Sequence, residues 1–142
     1  MPAQPERSAR CEAPAPASRT PSAPVVDVEL APRTPSGYAA LVSLHGEHDL
    51  ASSDELRAAL DPIAGDLLVD LSACAFIDST VIAVLLGKRH ALGGAGHRLE
   101  LVVPAANVPV ARVVDVVGMR DLMRVHERMP AGLHADAWEG TF

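Results

Sequence analysis

The stretch from Leu67 to Val84 constrains this chain more than any other. Leu67-Leu68-Val69-Asp70-Leu71 is an apolar run too short for a helix and without the polar alternation of a half-exposed strand. It reads as a strand covered on both faces. After a short loop, Phe76-Ile77-Asp78-Ser79-Thr80-Val81-Ile82-Ala83-Val84 leads into a helix that is apolar over most of its N-terminal half. A buried strand feeding a buried helix calls for a layered α/β domain.

The surrounding sequence extends that unit. Val25-Val26-Asp27-Val28-Glu29-Leu30 alternates as a first strand. Pro32 to Gly37 is a turn, and Tyr38 to Leu44 a second strand that pairs with the first as an antiparallel hairpin and ends at Gly46. Glu47-His48-Asp49-Leu50 then reads as a loop. Ser52 and Glu55 have capping-box spacing, and Leu56, Ala59, Leu60 and Ile63 mark one helix face. The second helix spans Thr80 to Leu92, with Lys88, Arg89 and His90 complementing its negative end and Gly93 and Gly94 stopping it. Leu99 to Val103 is a further strand. Asn107 is placed to cap a third helix, with Val110, Val113, Val114 and Val117 inward and Gly118 at its end. A short strand near Met123 to Val125 and a helix after Pro130 complete the order.

The expectation is one domain over residues 24–130, a mixed four- to five-stranded sheet with helices packed on it. Its middle section is a parallel strand–helix–strand unit, which crosses over right-handed. Residues 1–23 are Pro, Ala, Ser and charges without apolar period, a composition expected to stay disordered. Residues 131–142 form a C-terminal extension or short helix.

Composition narrows the function. The formal charge is −6 and aromatics make up 3% of the chain, which excludes a basic, base-stacking nucleic-acid surface. No apolar run is long enough to span a membrane. The cysteines, Cys11 in the tail and Cys74 in an apolar loop, do not suggest a disulfide, and a reducing cytoplasm is the expected compartment. The six histidines lack ligand spacing, and Gly93-Gly94-Ala95-Gly96 follows a helix rather than opening one, so neither metal nor cofactor is expected.

Ser79 and Asp78 are the candidate site, at the carboxyl end of a strand where open sheets present their chemistry. By position alone, Ser79 is either a helix N-cap or a hydroxyl offered for modification. Nucleophilic catalysis would need a base such as His45 or His48, but the Gly-x-Ser-x-Gly elbow is absent.

Gly46-Glu47-His48-Asp49 before a capped helix resembles the Gly-Glu-Leu-Asp loop of STAS domains. Leu68-Val69-Asp70-Leu71-Ser72 through Phe76-Ile77-Asp78-Ser79-Thr80 resembles the phosphorylation segment of the anti-sigma factor antagonists in that family. The resemblance runs from about Val25 to Val125. It implies a STAS-like fold without enzymatic activity, binding a serine-kinase anti-sigma factor so that a sigma factor is released. It further implies that the kinase phosphorylates Ser79, that a phosphatase restores it, and that Asp49, Asp78, Ser79, Thr80 and Val81 meet the partner. No nucleic acid or membrane partner is implied.

One departure bears on this. The family continues Ser-Ser/Thr-Gly-Leu-Gly where this chain has Ser79-Thr80-Val81-Ile82-Ala83. The branched Val81 is expected to stiffen the helix start and narrow access to Ser79. The competing readings are a STAS adaptor without the switch, in a stress-sensing or lipid-transport complex, and a small serine hydrolase.

Overall fold

The computed structural model describes residues 23–30 and 37–130. Among them lie the strands Val25–Leu30 (β1), Ala40–His48 (β2), Leu67–Asp70 (β3), Cys74–Ile77 (β4), Leu99–Val102 (β5) and Val125–His126 (β6). The helices are Leu50–Leu60 (α1), Ser79–Gly94 (α2) and Val108–Val117 (α3), followed by a 3₁₀ turn at Met119–Asp121. The sheet has six strands in the order β1-β2-β3-β5-β6, with β4 pairing β2 off that path. β1 runs antiparallel to β2, and every other pairing is parallel. Residues 1–22 of the expected tail, the 32–36 part of the turn and the helix after Pro130 lie outside the described residues.

Period-two alternation sorts the strand residues. Val42, Leu44, Leu67, Val69, Leu99 and Leu101 face the three helices in one aliphatic core, joined by Leu56, Leu60, Val81, Leu85, Val110 and Val114. Leu41, Leu68 and Val102 form a smaller cluster on the opposite face. Leu67, Leu68, Val69 and Leu71 are all buried, as a strand covered on both sides requires.

The second strand does not stop at Gly46. It continues to His48 because Gly46 adopts φ +80°, which an L side chain resists, and takes up a register shift between Gly46 and Glu47. From Gly46 onward β2 pairs β4 in place of β3. The expected loops around Glu47–His48 and Cys74 are therefore paired strands, and the sheet has one strand more than expected. Burial pushes the Cys74 thiol up to about 11, and its S–H donates to the Phe76 carbonyl.

Helix boundaries also moved. α2 begins one residue earlier than expected and runs through Gly93 and Gly94. Lys88 leaves that helix to donate from Nζ to the Ile63 carbonyl at 2.6 Å, tying off the end of α1. Gly118 ends α3 in the left-handed conformation as expected, whereas Val117 is exposed because α3 turns it to solvent. Asn107 precedes α3 but does not cap it. Its amide donates to the carbonyls of Leu71 (2.9 Å) and Cys74 (2.8 Å), fastening the turn between β3 and β4.

Candidate functional site

The carboxyl ends of β2 and β4 lie side by side, with His48 opposite Ile77 in parallel register. Each strand is followed by one aspartate, and each aspartate is the N-cap of the next helix. Asp49 accepts from the Ala51 N–H at 2.9 Å, while Ser52 Oγ accepts from the Asp49 N–H at 3.2 Å. The capping box is thus Asp49 with Ser52, not Ser52 with Glu55, because α1 starts at Leu50. Asp78 accepts from the Thr80 and Val81 N–H groups at 3.0 and 3.1 Å. Two helix starts, about 5 Å apart at their strand ends, present two carboxylates on one edge of the sheet.

Ser79 is the first residue of α2, and it is exposed. Because Asp78 holds the cap, the Ser79 hydroxyl has no capping duty. Among the described residues no hydrogen bond engages its side chain. Thr80 beside it is half-buried. Val81 is fully buried in the core under the helix start. It therefore leaves the exposed set expected for a partner and does not narrow access to Ser79; its branched side chain points the other way.

His48 is completely buried and committed elsewhere. Its Nε2 lies 2.9 Å from the His45 carbonyl, which can only accept, so Nε2 carries a proton and donates to it. Nδ1 lies 3.2 Å from Ser52 Oγ, whose hydroxyl also reaches the Asp49 carbonyl at 3.2 Å. His45 pairs with Asp27 at 3.2 Å on the opposite face of the sheet. Neither imidazole bonds Ser79.

Two residues missed by sequence reasoning flank the aspartates. Leu50, at the first position of α1, is 70% exposed, and Phe76, on β4, is 43% exposed. For Leu50 the signal lay in its position: an apolar residue directly after an N-cap falls outside the inward helical stripe. The surface is also acidic, since no ion pair among the described residues engages Glu47, Asp49 or Asp78.

Residues 34–125 match the family model described as Mlab, STAS domain. The chain belongs to the STAS domain family. Its relatives include an anti-sigma-B factor antagonist of Staphylococcus aureus, 29% identical over 90 residues, covering 61% of this chain and 82% of that protein. A Staphylococcus epidermidis protein of the same name matches at the same identity and coverage. Among solved structures, an anti-sigma factor antagonist from Mycobacterium paratuberculosis superposes with a TM-score of 0.64 at 21% identity, covering 85% of this chain and 96% of that one. The Bacillus cell fate determinant SpoIIAA in its phosphorylated form gives a TM-score of 0.55 at 18% identity, covering 83% of this chain and 100% of that one. At these identities the superpositions establish the STAS fold itself: a mixed sheet with three helices.

Proposed function

We propose that this STAS domain is an anti-sigma factor antagonist that docks on a serine-kinase anti-sigma factor through the edge bearing Asp49, Asp78, Ser79 and Thr80. In this reading the kinase phosphorylates Ser79, and a phosphatase restores it. The exposed Ser79 hydroxyl, freed from capping by Asp78, is the observation that carries the reading. The names of the staphylococcal relatives support the class of partner.

The switch is electrostatic. Phosphorylation adds roughly −1.5 to −2 charges beside the Asp78 carboxylate, on a surface that already holds Glu47 and Asp49. In the free domain water solvates that charge. In a complex it must be desolvated next to like charges. A differential penalty of about 3 kcal/mol weakens binding on the order of 150-fold. We take the domain to act by binding rather than catalysis, which the separate engagement of both histidines supports. Its place of action is the bacterial cytoplasm, consistent with the absence, among the described residues, of a helix able to cross a membrane.

The test is a binding assay of serine-kinase anti-sigma factors from the same genome against wild type, Ser79→Ala and Ser79→Asp. Wild type and Ser79→Ala should bind alike, and Ser79→Asp at least tenfold more weakly. Equal binding by all three defeats the switch. Val81 and Ala83 in place of the family's glycines favour a second reading for that outcome, a fixed adaptor whose helix start needs no pliability.

A further inference from the structure

The end of α2 remote from Ser79, about 24 Å along the axis, borders a cleft of about 440 Å³. Its walls carry Arg89, His90, His97, Arg98 and Arg124 against a single carboxylate, Glu100. Two of these side chains are already occupied: Arg98 binds Asp66 and Glu100, and His97 lies 3.4 Å from Asp66. Glu100 in turn accepts from Tyr38 and Arg98 and contacts His126, so it neutralises nothing further. Arg89, His90 and Arg124 have no acidic partner among the described residues. In a chain of net charge −6, this cleft reverses the sign of the surface.

Gly93 and Gly94 supply an independent observation. They are the last two residues of α2, and neither has positive φ, so the backbone does not call for glycine there. A Cβ added at either would meet no atom within 4 Å, so packing does not call for it either. The pair leaves backbone without side chains on the cleft wall, at the negative end of α2, so an anion there would be held by the arginines and not by the helix dipole. Leu122, Leu99 and Met123 add an apolar side to the same cleft.

We propose that this cleft binds a small organic anion, its phosphate or carboxylate held by Arg89 and Arg124 and its apolar portion resting on Leu122 and Met123. The site is separate from the Ser79 edge and does not depend on the function assigned there. The anionic group belongs either to a soluble metabolite or to a lipid headgroup.

The full chain, labelled for NMR, is titrated with phenyl phosphate. Saturable shifts confined to the amides of residues 89–94, 98 and 122–124 are expected, with affinity falling as salt rises. The double variant Arg89→Gln/Arg124→Gln should weaken binding at least tenfold. Gly93→Leu should raise the melting temperature while abolishing binding, opposite signs that exclude misfolding as the cause. Unsaturable or scattered shifts, or unchanged affinity in either variant, overturn the proposal. Sedimentation with phosphatidylglycerol vesicles identifies the source. Pelleting of wild type but not the double variant assigns a headgroup, and retention in the supernatant assigns a soluble anion.

Discussion

At the start of α2, the Asp78 carboxylate holds the Thr80 and Val81 N–H groups, and the neighbouring Ser79 hydroxyl bonds nothing among the described residues. The two side chains should therefore separate in a stability measurement. Asp78→Ala leaves two N–H groups without their acceptor and should cost about 1 kcal/mol. Ser79→Ala changes an exposed side chain and should stay within about 0.5 kcal/mol of wild type. Urea denaturation of both variants checks this; equal losses would mean that Ser79 caps the helix after all. Under the proposed switch, the same division of labour would let Ser79 be modified at little structural cost. Its neighbour carries the helix start.

The elements that aim this pair are β2, β4 and the turn between β3 and β4. Gly46 lets β2 bend past β3 and gain β4 as a partner, and Asn107 holds the intervening turn through the Leu71 and Cys74 carbonyls. Both act at a distance from the site surface. Gly46→Ala forces a Cβ into φ +80° and should destabilise by about 1–2 kcal/mol. Asn107→Ala leaves two carbonyls unsatisfied and should cost about 1–3 kcal/mol. Hydrogen exchange should then show amides of residues 74–77 losing protection ahead of those of β3. Uniform loss across the sheet would argue against a local fastening role. The hairpin, α1 and α2 were legible in the sequence because hydrophobic period and turn residues are local signals. β4 was not, because four residues of CAFI have no period that separates a strand from an apolar loop, and only the neighbour across from them decides.

Across the whole molecule, a charged network ties segments far apart in sequence on the face away from α1 and α2. Glu100 on β5 meets Tyr38 before β2 (2.6 Å), Arg98 before β5 (2.6 Å) and His126 on β6 (2.8 Å), and Arg98 continues to Asp66 before β3. Burial alone would raise the Glu100 carboxyl, but hydrogen bonds from His126, Tyr38 and Arg98 outweigh it and hold the carboxyl below its usual range. Burial, followed by the bond to Glu100, pushes the Tyr38 phenol from 10.0 to about 12. The signs are opposite. The Glu100 contribution is present above its ordinary value near 4.5 and is lost as pH falls through the depressed folded value. The Tyr38 contribution is present below 10.0 and is lost as pH rises towards about 12. Glu100→Gln should cost about 2 kcal/mol at pH 7, and its deficit against wild type should shrink on acidification below about pH 4.5. The deficit of Tyr38→Phe should shrink above pH 10. Denaturation series across pH test both, and a deficit for Glu100→Gln that does not change with pH would remove the charged network as the cause.

What the sequence determined alone was the class of fold, the antiparallel opening, the helix beginning at Asp78-Ser79, and the resemblance that placed the chain among STAS domains. These rest on periodicity, caps and short motifs, each contained within a few neighbouring residues. Tertiary structure decided which carboxylate caps which helix, that Val81 turns inward while Leu50 and Phe76 turn out, and that two glycines face an open basic cleft. Those outcomes depend on which strand lies beside which and on the direction each helix face points. Such relations are set by packing between segments, and no local stretch of chain contains them.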